Sequence, residues 1–188
     1  MLQKKDKDKI LFFRESTFRV AENIFNFPNK KFHVRMLAEE TGFSTTAISR
    51  SIEELQYFRI VTVEETDLTK DVKADLSSDA YTFYKTIFNL YRLKRYGFVD
   101  RLIDLYTPEV IVLFGSFAKG EDIEESDIDI CILSSKENEF SQKDIEHYQK
   151  EFCRRINVHV LHSLEQSSAE FKNALANGVV LHGYLKVI

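Results

Sequence analysis

The sequence predicts an α+β protein: a mainly helical N-terminal domain over residues 1–76, a helical connector over 77–106, and a C-terminal domain over 107–188 with a small mixed sheet flanked by helices. Three stretches carry that prediction. Val110-Ile111-Val112-Leu113-Phe114 is a continuous apolar run, β-branched at most positions, that Gly115-Ser116 cuts short, so it reads as a buried strand. Residues 127–133 alternate acidic and apolar side chains before becoming wholly apolar, which reads as a second strand. Residues 32–58 read as two helices broken at Gly42, and a β-branched segment over 60–65 follows.

Taken in order, the first nine residues are charged and read as a solvated tail. Over 10–27, Phe13, Phe18, Val20, Ile24 and Phe25 fit a helix with extended structure before it, and Pro28-Asn29 ends that element. Ser44 is placed to cap a helix over 45–58. On that helix Ala47, Ile48, Ile52 and Leu55 line one side, while Thr45, Thr46, Ser49, Arg50 and Glu53 face outward.

The stretch Leu37-Ala38-Glu39-Glu40-Thr41-Gly42-Phe43-Ser44 with its following helix resembles the helix-turn-helix of winged-helix transcription regulators. That resemblance implies duplex DNA as a partner, with Thr45, Thr46, Ser49 and Arg50 where bases are read, a first wing strand at 60–65 and a wing tip at 66–70. Regulators of this kind dimerise over two half-sites, so a homodimer is expected. Glu53, Glu54, Glu64, Glu65 and Asp67 oppose phosphate, and Lys30, Lys31, Arg35, Arg50 and Lys70 are the counterweight, so docking to protein stays open beside DNA binding.

Ser77-Ser78-Asp79 caps a helical pattern over 80–96 that runs through Tyr84, Ile87, Phe88, Tyr91 and Leu93; Gly97 breaks it before 98–105 continues. The aromatic stripe reads as core joining the two domains. After Thr107-Pro108 and the first two strands, residues 134–138 read as a polar loop, and Ser141 with Asp144 opens a helix through 155 with Phe152 and Ile156 inward. A third strand over 157–161, a helix over 164–176 and a short closing segment over 179–183 complete the chain.

The chemistry concentrates between residues 115 and 129. Gly115 permits a backbone geometry closed to other residues, Ser116 offers a hydroxyl, and free amides at such a turn suit a phosphate. Asp127 and Asp129 share one strand face while Ile128, Ile130 and Ile132 share the other. Two carboxylates held that close repel unless a cation stands between them, and a hard divalent ion is the usual answer. Alone, the glycine-serine turn is only a turn and the Ser126-Asp127 pair only a loop end. Together, with a strand before each, they are the equipment of phosphoryl or nucleotidyl transfer.

Phe114-Gly115-Ser116, Lys119-Gly120 and Ser126-Asp127-Ile128-Asp129 resemble the signature of the DNA polymerase β-like nucleotidyltransferases, in particular the minimal nucleotidyltransferase branch. The resemblance spans about residues 108–183 and implies that Gly115 and Ser116 contact a triphosphate while Asp127 and Asp129 hold Mg²⁺ or Mn²⁺. It implies a nucleoside triphosphate as substrate, ATP being the expected one, and Lys119 at a basic position common in the branch. Family members place a third carboxylate on the neighbouring strand. Alignment with 157–161 puts that position at His159, with Asn157 two residues earlier on the same face, and neither is an acid. His159 is then either a general base and catalytic residue or a filler of the site.

Two functions follow. One is a metal-dependent transferase moving a nucleoside monophosphate onto a protein or small-molecule hydroxyl; similarity to antitoxins that adenylylate a partner toxin makes a protein acceptor relevant. The other is a DNA-binding transcription regulator whose nucleotidyltransferase domain binds nucleotide without turnover. A pure interaction module is disfavoured by the intact Asp127 and Asp129.

Composition bounds the rest. With 44% hydrophobic and 30% charged residues the chain is neither fibrous nor disordered. Cys131 and Cys153 have no metal-ligand spacing and read as reduced core thiols. No apolar run is long enough to cross a bilayer and no signal-peptide core follows the charged start, so a cytoplasmic protein away from membranes is expected. Residues 106–188 carry 8 basic and 14 acidic side chains against 13 and 13 in residues 1–75, so no basic block announces nucleic acid and the catalytic half disfavours long polymers.

Overall fold

A computed structural model gives the structure of the chain and describes residues 9–10, 13–65, 70–136 and 140–186. It divides into two compact units, residues 1–84 and 85–188.

In the first unit a short antiparallel pair, β1 (Lys9–Ile10) and β2 (Phe13–Arg14), precedes α1 (Glu15–Asn26). α1 buries Phe18, Val20, Ala21, Ile24 and Phe25, the stripe its spacing requires. β3 (Phe32–His33) leads into α2 (Val34–Thr41), which ends at Gly42 with φ 76°, a left-handed closure that glycine adopts without strain. α3 (Thr45–Tyr57) starts at Ser44, whose Oγ accepts a hydrogen bond from the Ala47 backbone N–H at 3.3 Å.

Ile48, Ile52 and Leu55 of α3 are fully buried, but Ala47 is only half-buried. Ser51 takes the fourth inward position instead. It survives burial because it donates to Ser16 Oγ at 3.0 Å, while Thr17 donates to Oε2 of Glu54 at 2.7 Å. β4 (Val61–Glu65) and β5 (Lys70–Ala74) pair antiparallel, and β3 pairs with the other edge of β5. Of the expected tip at 66–70, only Lys70 lies among the described residues, where it opens β5. The rings of Phe13, Phe58 and Tyr84 meet in pairs at 5.6–5.8 Å, and Tyr81 meets Phe25 at 5.5 Å.

Helix α4 (Asp79–Arg95) begins in the first unit and ends in the second. Gly97 separates it from α5 (Phe98–Tyr106). There follow β6 (Val110–Phe114), α6 (Gly115–Lys119), β7 (Asp127–Leu133), α7 (Gln142–Phe152), β8 (Arg155–Leu161), α8 (Ala169–Ala176) and β9 (Val179–Gly183). The sheet runs β8-β7-β6-β9; β7 and β8 are parallel with α7 as their crossover, and the other pairs are antiparallel. It is a mixed sheet. On one face Ile111, Leu113, Ile128, Ile130 and Ile132 pack with Phe98, Leu102, Tyr148 and Phe152 from α5 and α7. On the other, Val110, Val112, Phe114 and Cys131 pack with Leu175 of α8.

Three boundaries differ from the sequence expectation. α7 stops at Phe152 because Cys153 turns left-handed at φ 54°, which also leaves Cys153 exposed rather than in the core. β8 therefore starts two residues early, at Arg155. α8 starts at Ala169, where Ser168 Oγ accepts from the Phe171 N–H at 3.2 Å, rather than at residue 164.

Candidate functional site

β6 and β7 lie antiparallel with Phe114 opposite Asp129, so the chain leaving β6 at Gly115 emerges beside that acid. Gly115 has φ +76°, and a Cβ built on it would stand 2.6 Å from Asp129 Oδ2. Only glycine fits this turn. Ser116 is half-buried in α6, and Lys119, the last residue of α6, is exposed with no hydrogen bond or ion pair among the described residues.

Along β7 the pleat puts Asp127 and Asp129 on the face of Cys131, partly accessible, while Ile128, Ile130 and Ile132 are fully buried behind them. The parallel register with β8 pairs Asp127 with Arg155, Asp129 with Asn157 and Cys131 with His159. Asn157 Nδ2 donates to Oδ2 of Asp127 at 3.1 Å and to Oδ1 of Asp129 at 3.0 Å. One amide with two N–H groups thus serves both acids. Arg155 Nε donates to the other oxygen of Asp127, Oδ1, at 2.8 Å. Oδ2 of Asp129, the oxygen against Gly115, accepts no hydrogen bond among the described residues.

In the β7–β8 register Asn157 stands opposite Asp129. His159 lies one pair further along, about 7 Å by the strand repeat. Its ring packs against Phe114 at 5.8 Å and Phe171 at 5.7 Å, and it makes no hydrogen bond to either aspartate. Thr45, Thr46 and Arg50 are exposed and Ser49 half-buried on α3, all in the first unit.

A buried charge cluster that the sequence reading missed fixes the segment between α6 and β7. Asp122 is 2% exposed; its Oδ1 lies 3.3 Å from Lys85 Nζ and accepts from Asn89 Nδ2 at 2.8 Å, and its Oδ2 lies 3.1 Å from an Arg154 nitrogen. Lys85 also donates to the Asp122 carbonyl, and Asn89 donates to the Phe117 carbonyl at 2.9 Å. Two cations face one carboxylate, and burial, aided by the Arg154 charge and opposed by Asp122, brings the Lys85 ammonium down from 10.5 to about 8. The sequence did hold a signal. Lys85 falls at i+4 from Tyr81 and three before Phe88, on the apolar stripe of α4 where an ammonium needs a partner.

The donor set suits a hard divalent cation: carboxylate oxygens only, with Asp129 Oδ2 unclaimed among the described residues, Asp127 Oδ1 engaged by the exposed Arg155, and Asp127 Oδ2 and Asp129 Oδ1 engaged by Asn157. Among the described residues no cluster of three or more His, Cys, Asp or Glu is placed to hold a metal. No helix among the described residues is long and apolar enough to cross a membrane.

Residues 96–180 match the family model described as a nucleotidyltransferase domain. No curated protein and no solved structure matches the chain. The matched segment runs from the end of α4 to the start of β9 and includes Gly115, Ser116, Lys119, Asp127, Asp129, Asn157 and His159.

Proposed function

We propose that the nucleotidyltransferase domain moves a nucleoside monophosphate from a triphosphate, with ATP as the nucleotide, to a hydroxyl of a protein or small molecule in a metal-dependent reaction. The observation that carries this reading is the contact between Gly115 and the Asp129 carboxylate. A phosphate bound by the Gly115 amide and the Ser116 hydroxyl would lie beside both acids, where anion and carboxylates tolerate each other only through a cation. Mg²⁺ or Mn²⁺ held by Asp127 and Asp129 would supply that charge. Lys119 adds a positive charge on the same short helix. The acceptor oxygen attacks the α-phosphorus and pyrophosphate leaves.

The first unit is proposed as a winged helix that binds duplex DNA or docks a protein, and the order α1-β3-α2-α3-β4-β5 with a three-stranded antiparallel sheet supports it. The outward Thr45, Thr46 and Arg50, with Ser49 beside them, are the proposed contact residues, and a homodimer is the proposed assembly. A second reading, a DNA-binding regulator that holds nucleotide without turnover, is favoured by one observation: on β8 neither Asn157, opposite Asp129, nor His159, two residues on, is a carboxylate that would help take the acceptor's proton.

The test is incubation of the chain in native extract with Mg²⁺ and each α-labelled nucleoside triphosphate, beside an Asp127→Ala, Asp129→Ala variant. Label transferred by the native chain and lost in the variant supports the transferase. Nucleotide binding without transfer moves the conclusion to the regulator, and neither binding nor transfer removes both.

A further inference from the structure

Resting on the nucleotidyltransferase reading, we infer that this is a one-ion site, because the strand beside Asp127 and Asp129 presents the donors Asn157 and Arg155 in place of a further carboxylate ligand. Sites that hold two ions keep them about 3.5–4 Å apart and need shared carboxylates with further oxygen ligands on each side. Here the strand that would contribute the further ligand contributes a donor instead. Asn157 faces one oxygen of each aspartate at 3.0–3.1 Å, and both are acceptors, so its Nδ2 must point at them. An amide in this position adds no negative charge to the pair, where a carboxylate would add a third.

Charge leads to the same answer. Asp127 and Asp129 carry two negative charges, and Arg155, at 2.8 Å from Asp127, already returns one. One divalent ion completes neutralisation and leaves a positive balance for a phosphate; a second would raise that excess with no further carboxylate on β8 to offset it. The remaining oxygen, Asp129 Oδ2, lies on the Gly115 side, so the single ion sits next to the proposed phosphate loop. Among the described residues no third His, Cys, Asp or Glu joins the pair to form a metal-holding cluster. The ligand class is therefore one divalent cation with its nucleotide.

Mn²⁺ alone, titrated into the full chain without nucleotide and followed by the paramagnetic resonance of free Mn²⁺ and by calorimetry, tests this. The native chain should bind one Mn²⁺, Asn157→Asp two, and Asp129→Asn none. Arg155→Gln should still bind one, roughly two- to fivefold more tightly, as expected for loss of one exposed competing cation. Two Mn²⁺ on the native chain, none on it, or one on a folded Asn157→Asp overturns the inference. Should Asn157→Asp fail to fold by circular dichroism, the native stoichiometry and the Arg155→Gln affinity decide it. Failure of the transferase reading is separate: a chain that binds one Mn²⁺ and transfers no label keeps the one-ion site and loses the activity.

Discussion

Gly115 and Asp129 are in contact: a Cβ on the glycine would stand 2.6 Å from the carboxylate oxygen, at a backbone φ of +76°. The turn and the acid can occupy this space together only because residue 115 has no side chain. Gly115→Ala should therefore lower the unfolding free energy by about 1–2 kcal/mol from the left-handed backbone alone. It should also push Asp129 aside and reduce label transfer by roughly 10²-fold, the scale of a misplacement of about 1 Å. Urea denaturation and the transfer assay check the two effects separately. Native stability with native transfer would mean that the turn and the acid do not depend on each other.

How much of this was legible follows from which interactions are local. Strand alternation placed Asp127 and Asp129 on one face and Ile128, Ile130 and Ile132 on the other, and the burial of β7 follows that alternation. Gly42, Ser44, Gly97 and Ser141 mark the helix ends where their backbone and capping chemistry predicts. The pairing of β7 with β8 is not local. A shift of two residues keeps every side chain on its face, so periodicity cannot choose between Asn157 and His159 as the partner of Asp129. The left-handed Cys153 made that choice harder, since it ends α7 early and frees Arg155 for the strand. The buried Lys85, Asp122 and Arg154 come from α4, the segment between α6 and β7 and the turn after α7; the place of Lys85 on an apolar stripe calls for a partner, but nothing along the chain says which one.

The two thiols should separate cleanly by reactivity. Cys153 is exposed on the turn after α7, whereas Cys131 is 1% exposed in the central strand, where burial drives its thiol from 9.0 to about 11. A disulfide reagent at pH 8 should titrate one thiol per chain at once and the second only in denaturant. Two fast thiols on the native chain would contradict the packing of β7 against α8.

On the DNA-binding reading of the first unit, the outward face of α3 carries the contacts. Arg50 is its cation, and Arg50→Ala should weaken duplex binding and reduce the slope of log affinity against log salt by about 1 if it meets a phosphate. Fluorescence anisotropy at several salt concentrations measures that slope. An unchanged slope with native affinity would leave protein docking as the role of this face.

The cluster around Asp122 sets both the stability of the second unit and its pH dependence. Removing the carboxylate in Asp122→Ala leaves the buried Lys85 and Arg154 uncompensated, a loss of about 3–5 kcal/mol. The pH effect has the opposite origin, because Lys85 is protonated less readily when folded, at about 8 against 10.5. Between those values the unfolded chain binds a proton that the folded chain has released, so stability rises with pH. The Cys131 thiol acts in reverse between 9.0 and about 11, where the folded chain keeps a proton that the unfolded chain loses. The native chain should accordingly gain stability from pH 8 to 9 and level off above 9. Lys85→Met, which keeps the Asp122–Arg154 pair and removes the titrating ammonium, should lose the gain between 8 and 9 and show only the decline above 9. Urea midpoints collected at half-unit pH steps resolve the difference, and parallel curves for the two proteins would show that the Lys85 ammonium is not held back by burial.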